Sequence, residues 1–579
     1  CGDDPAPVPT ATTAPPPKAT PTSPPAAVAV KPAAKPKPTA TARPRATATP
    51  TPKPKVLVSP RLKVSMVPPG HQVTMVHQTY HSSSGPLKTM FEELIYIDPL
   101  VGDYSNDHLA TDWSMSDDGT SWSFTIRKGV PFHDIGTEVT VKDVIHSIRT
   151  SAGETSYNPG RWNIYGVADK NFDVHDDHSF TYNMDAAEPL LLGHLSEGAL
   201  VPIISKDHWD SVGGEEKYAE HPIGTGPFKF VELEIGEGLL VERTTDHWRK
   251  TPEFHELKMF YTPESATRLA MLLAKEVHLA DIARTLLPEA NQRGFKTVLG
   301  TLPGMFFFAY FGGLYYDEPK EILAGSRKGE IEPLAEGYIA DNPLRKLLVR
   351  KAMNLAIDRE LIIKTFWGDA AVPASTYGIP PSRPDFKEEW VPYPYDPDEA
   401  KRLLAEAGYP EGFEFTLTTG KMGGTPEAPE VAEALASMWQ DIGLKMTIED
   451  VELGEILKRA RNRTWGQNVY TLRYGAGNPF PSDPCYPMSA VPGGCGNPTW
   501  EYDELDQLYL KFKAAVKHED MVKAEQDIGD YLYDNYLLIP LAFLYPVSAY
   551  DPGVIESYTA NWQHWGPVRH HEYTVPVYK

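Results

Sequence analysis

His133-Asp134 is the nearest this 579-residue chain comes to a catalytic dyad. An imidazole beside a carboxylate can pass a proton, but the pair needs a nucleophile, and no GxSxG elbow supplies one. Neither HExxH nor GxxxxGK[ST] occurs. Gly224-Thr225-Gly226-Pro227 is rich in glycine, yet Pro227 has no N–H to offer a phosphate. Those residues read instead as a tight turn into a strand at 228–230. His570-His571 reads as a solvated pair. These residue types fit binding rather than turnover, and no cofactor motif is present.

Two thiols follow late in the chain. Cys485 and Cys495 flank the Pro- and Gly-rich stretch 486–494. In an oxidising compartment they are expected to close a small disulfide loop; two free thiols or half of a metal site are the alternatives. No CxxC and no His pair stands nearby, which argues against a metal. Just before them, Arg473 would suit a carboxylate or a phosphate, or an internal salt bridge.

The elements that must position these groups are mixed α and β. The stretch 121–127 alternates as a half-buried strand does, and so do Leu444, Met446 and Ile448. Asp341-Asn342-Pro343 reads as a helix start, with Leu344, Leu347, Leu348, Ala352, Leu355 and Ala356 on one face. A second start is Asp396-Pro397-Asp398-Glu399: Asp396 caps, Pro397 takes the first turn and Glu399 completes a capping box. That helix buries Ala400, Leu403, Leu404 and Ala407 and stops at Gly408. A third helix is expected over 430–442. The apolar stretches 305–311 and 537–545 are too short to cross a bilayer and read as buried strands.

Residues 1–60 differ in kind. They hold 17 of the 55 prolines and almost no large apolar side chain, so they cannot bury enough surface to offset ordering. A tether of Pro, Thr, Ala and Lys is expected there. The remaining 519 residues exceed what one core usually supports, so at least two lobes are expected. They carry 47 basic and 76 acidic residues, formally −29, which argues against nucleic acid as a partner. Cys1 ahead of such a tether is what a processed bacterial lipoprotein looks like, with lipid on Cys1 as the membrane anchor.

Five segments, in order, resemble the family 5 extracellular solute-binding proteins, which serve peptide and nickel ABC importers. They are Trp122-Ser-Phe-Thr-Ile-Arg-Lys-Gly-Val-Pro-Phe-His-Asp134 with 141–145; 222–229 with Asp246-His247-Trp248; 350–359; 395–410; and 506–540. The resemblance implies an α/β fold of two lobes, periplasmic-binding-protein-like (type II, cluster C), with an extra subdomain in the first lobe. Carried over, the first lobe takes 61–94, 221–305 and 500–579, the subdomain 95–220 and the second lobe 306–499, with crossings near 306–313 and Trp500.

A monomeric receptor outside the cytoplasm is implied. It would bind a short peptide between closing lobes and deliver it to ABC permease subunits; it would not be an enzyme. A non-peptide solute (a nickel chelate, an oligosaccharide, an opine-like metabolite) or a surface receptor or chaperone uncoupled from transport is the alternative. Expected cleft residues are Tyr80, His81 and Ser82, Trp162 and Tyr165, and Arg473, Tyr474 and Asn478. Aromatics suit a tolerant pocket because they offer large area at low entropy cost. Two departures stand out. The family's His-Asp-Gly turn reads His133-Asp134-Ile135-Gly136, one residue longer. An aspartate that pairs with the ligand's ammonium in peptide binders is matched by Gly477, so Asp483 or another acid replaces it, or the ligand lacks a free amino terminus.

Overall fold

The computed structural model describes residues 56–69, 72–76, 85–98, 103–153, 156, 167–196, 201–323, 329–475, 500–560 and 570–579. Two large sheets organise residues 55–579. The first has seven strands in the order Lys296–Leu299, Val547–Tyr550, Leu279–Ala280, Arg61–Met66, Glu256–Tyr261, Gly238–Arg243 and Phe228–Glu234. Its parallel heart is Arg61–Met66 between Glu256–Tyr261 and Leu279–Ala280. The second has six, in the order Ala371–Pro373, Leu538–Leu544, Met305–Phe311, Asn468–Gly475, Glu414–Thr419 and Lys445–Asp450. Each sheet is the floor of its own lobe.

The chain passes between these sheets twice. It leaves the first after Leu299 and enters the second at Met305; it leaves the second after Leu544 and re-enters the first at Val547. The return expected near Trp500 is therefore displaced to 545–546. The reason is packing: Leu505, Tyr509 and Phe512 of the helix Asp503–Ala514, and Ala524, Ile528 and Leu532 of His518–Asp534, belong to the second lobe's core. Leu538–Leu544 then pairs antiparallel with Met305–Phe311. Both of these strands are buried at every residue, as a continuous apolar run at a sheet's centre should be.

A third core belongs to the subdomain. Its four-stranded antiparallel sheet runs Ala110–Met115, Ser121–Ile126, Ser179–Asn183, Phe172–Asp176. Trp122, Phe124 and Ile126 alternate inward, against Ile145 and Ile148 of the helix Val141–Ala152. Thr140 and Asp143 form a capping box at that helix's start.

Helix signals translate with small changes. Asn342 accepts from the Leu344 N–H, but Pro343–Arg345 is a 3-10 turn and the α-helix starts at Leu347. Leu347 is exposed, so the buried face is Val349, Ala352, Met353 and Leu355. Asp396 caps Pro397–Glu406 as expected, while the Glu399 carboxylate pairs forward with Arg402 at 2.7 Å instead of closing a box. Gly408 takes φ +97, the left-handed stop that glycine allows. The third helix is Ala428–Asp441. Lys445–Asp450 follows it at the sheet's edge, which leaves Ile448 exposed.

Two motifs of the sequence meet. The lengthened turn is a hairpin closed by the Phe132 N–H on the Thr137 carbonyl, with Asp134 and Gly136 both at positive φ. His133 donates from Nε2 to the Gly226 carbonyl at 2.8 Å and accepts nothing at Nδ1. Its N–H donates to the Gly224 carbonyl. Burial pushes the imidazole down to about 4, so His133 is a neutral structural donor. Gly226 lies against residues 89–90: a Cβ there would stand 2.6 Å from the Met90 carbonyl carbon and 2.7 Å from the Thr89 oxygen. The glycines thus serve close backbone approach.

Nearby, Arg249 joins Glu92 at 3.1 Å and Glu572 at 2.9 Å, all three side chains nearly or wholly buried. This cluster corrects the reading of His570-His571 as solvated: His571 is buried and stacks near Tyr558, and His570 lies 3.4 Å from Glu572. Among the described residues, no helix is long and apolar enough to cross a membrane.

Candidate functional site

The site is built where the second sheet meets the crossovers. Arg473 and Tyr474 are neighbours near the end of Asn468–Gly475, in register with Phe307 and Phe306. Strand alternation sends them to opposite faces. Tyr474 is half-buried and joins an aromatic wall, 6.5 Å from Phe308 and 6.1 Å from Tyr377 by ring centroids. Tyr310, Tyr470 and Trp500 continue that wall. Burial raises the Tyr310 and Tyr377 phenols, keeping both neutral donors.

Arg473 is only 6% exposed and faces the first lobe's charges. Its guanidinium contributes to holding down Asp281, whose carboxyl burial pushes up against the pull of Arg268, Arg284 and Arg473. Arg268 donates to the Asp281 carbonyl and, at 2.7 Å and 2.8 Å, to the carbonyls of Thr262 and Pro263. Arg284 follows Leu279–Ala280 in the first lobe. It donates its N–H to Glu427 of the second lobe at 2.9 Å and its Nη1 to the Gly424 carbonyl at 2.8 Å. Its Nη2 reaches the carbonyl of the crossover residue Tyr545, also at 2.8 Å. A more exposed pair, Lys421 with Glu264 at 3.0 Å, links the same two lobes.

Chemically this is a hinge packed with paired ions, beside an aromatic wall carrying hydroxyl groups. Among the described residues, no group of His, Cys, Asp or Glu is placed to hold a metal. Arg473 thus points towards the charges around Asp281, and Tyr474 towards Phe308 and Tyr377. Tyr80, His81, Ser82, Trp162, Tyr165 and Asn478 lie outside the described residues, as do Cys1, Cys485, Cys495, Gly477 and Asp483. Asp281, Arg284 and Glu427 escaped sequence reasoning: Arg284 and Glu427 are 143 residues apart, and no local pattern marks them.

Residues 106–494 match the bacterial extracellular solute-binding proteins, family 5, middle region. The chain belongs to that family. A family 5 protein is an extracytoplasmic solute receptor of the ABC-importer type and not an enzyme. The chain is 26% identical over 460 residues to the dipeptide-binding protein of Escherichia coli, covering 74% of this chain and 78% of that one. It is also 26% identical over 478 residues to heme-binding protein A of Haemophilus influenzae, covering 78% and 81%. Among solved structures, the dipeptide-binding protein of Pseudoalteromonas sp. SM9913 in complex with Met-Leu superposes with a TM-score of 0.70. It is 22% identical, with 86% of this chain and 97% of that one covered, a likeness of fold. The two-lobe α/β architecture of this family 5 receptor is that of its structural neighbours.

Proposed function

We propose that this receptor captures short peptides between its two lobes and hands them, as a monomer, to the membrane subunits of an ABC permease. Lipid on Cys1 and the tether of residues 1–60 hold it at the outer face of the cell membrane. The observation that carries the peptide reading is the extended likeness to a dipeptide-binding relative, over 78% of that protein's length. The half-buried ring of Tyr474 supports it, because a flat ring accepts varied side chains at low entropy cost; Phe308 and Tyr377 behind it are core of the second lobe. Tyr80, His81, Ser82, Trp162, Tyr165 and Asn478 complete the cleft in this reading, and Cys485 and Cys495 close a small disulfide loop.

Native mass spectrometry of gently purified protein, followed by denaturation and identification of the released molecules, tests this directly. A ladder of short peptide masses is the expected result. A single non-peptide mass would replace the solute while keeping the receptor. That second reading is favoured by Gly477, which removes the carboxylate that would meet a peptide's ammonium, and by the equal identity to a heme-binding relative.

A further inference from the structure

The subdomain and the second lobe touch at segments that contain neither crossover. Glu188 precedes the short helix Leu191–His194 and is 2% exposed. Its carboxylate accepts from the Lys513 ammonium at 3.0 Å and 2.8 Å, one bond to each oxygen. Lys513 lies in the last turn of Asp503–Ala514, whose Leu505, Tyr509 and Phe512 are core of the second lobe. Apolar contacts surround the pair. Leu190 packs into the second lobe's core, and a Cβ on Gly119 would stand 3.1 Å from both Ala187 and Val516.

The subdomain presents this carboxylate on a fixed frame. The Glu188 N–H donates to the Gly119 carbonyl at 2.9 Å, and Trp122 Nε1 donates to the Glu188 carbonyl at 2.9 Å. His194 Nε2 stands 3.8 Å from the carboxylate. These supports come from the subdomain itself; the cation comes from the other lobe.

We infer that Glu188 and Lys513 form the catch that keeps the lobes closed on a bound solute. This rests on reading the chain as a closing receptor. Contacts at a crossover keep nearly the same geometry when lobes rotate; Arg284, bonded to Tyr545, is of that kind. A contact between segments without a crossover must come apart. On opening, both ions regain water, so the pair acts on the rate of opening rather than on folding.

The test compares Glu188→Gln and Lys513→Met with wild type, using an equimolar mixture of synthetic di- to pentapeptides as the probe. Lys511→Met is the control, because Lys511 pairs with Asp527 inside the second lobe. The catch predicts that bound peptide leaves about tenfold faster in both variants, with association nearly unchanged. The thermal midpoint of peptide-free protein stays at the wild-type value. Release at the wild-type rate overturns the catch, and so does an equal loss of midpoint in peptide-free and loaded protein. Should one variant not fold, the other carries the comparison. A wild type that ignores the peptides ends the peptide reading alone. The catch is then judged by small-angle scattering of the protein as purified: a larger radius of gyration in Lys513→Met supports it, and equal radii overturn it.

Discussion

Arg284 and Glu427 face each other across the two lobes, with the Arg284 N–H and Nη1 at 2.9 Å and 3.3 Å from Glu427 Oε1. Both side chains are almost fully buried, and the same guanidinium holds the Tyr545 carbonyl. One side chain therefore ties first lobe, second lobe and return crossover together. Arg284→Met leaves Glu427 as a buried charge without this cation. The expected loss is about 3–5 kcal/mol of stability, seen as an equal drop in urea midpoint for solute-free and loaded protein. A drop confined to loaded protein would show that the pair forms only on closure.

Tyr474 and Arg473 are adjacent but should respond differently to substitution. Tyr474→Ala removes a half-buried ring from the aromatic wall. Peptide affinity is expected to fall about tenfold, with a near wild-type melting midpoint. Arg473→Met instead withdraws a cation from Asp281. It is expected to lower the midpoint while leaving affinity within about twofold. Titration calorimetry beside thermal melts separates the two; unchanged affinity in Tyr474→Ala would remove that residue from the cleft.

Gly226 tests why its motif exists. A methyl group there would press on the backbone of Thr89 and Met90, which cannot yield as a flexible side chain can. Gly226→Ala should cost about 2–3 kcal/mol. Gly129→Ala is the comparison that separates space from conformation: nothing lies within 4 Å of its Cβ, but its φ of +75 carries a strain of its own. A Gly226→Ala protein as stable as wild type would mean that residues 89–90 shift freely.

Local signals were legible where one element's own chemistry decides it. Asp396-Pro397 and Gly408 bracket a helix because capping and positive φ are properties of a few adjacent residues. The five ordered motifs gave the family. What stayed hidden is long-range. Nothing near Trp500 says that Asp503–Ala514 will bury Leu505 and Phe512 in the second lobe, so the return crossing lies later than the resemblance implies. Arg473 and Tyr474 are neighbours in sequence, yet a strand sends neighbours to opposite faces, which no local pattern announces. Glu188 and Lys513, separated by 325 residues, carry no local mark at all.

His133 offers a pH signature. Burial holds its imidazole down at about 4, below the ordinary 6.5, and outweighs the upward pull of the Nε2 hydrogen bond to Gly226. A depressed histidine favours the fold above its ordinary value and loses that contribution as pH falls toward 4. The difference in thermal midpoint between wild type and His133→Asn should be largest near pH 7.5 and shrink by pH 4.5. Taking the difference cancels every other titrating group. A gap independent of pH would mean that His133 is charged or solvated in the fold.

Glu188 has the opposite sign and a lower window. Burial pushes its carboxyl up, but the Lys513 ammonium and His194 together outweigh this and hold it at about 2, below the ordinary 4.5. A depressed carboxyl contributes to the closed form above 4.5, and the contribution fades as pH falls toward 2. Release of bound peptide should therefore be flat from about pH 8 to pH 5 and accelerate below about pH 4.5. His194, 3.8 Å away, also lowers this carboxyl, and Tyr182 lies within its field, so His194→Gln should move the acid limb to higher pH without abolishing it. In Lys513→Met the carboxylate has lost its partner across the lobes. Release is then fast at neutral pH and should gain little more on acidification. Parallel acid limbs in wild type and Lys513→Met would mean that some other carboxylate governs opening.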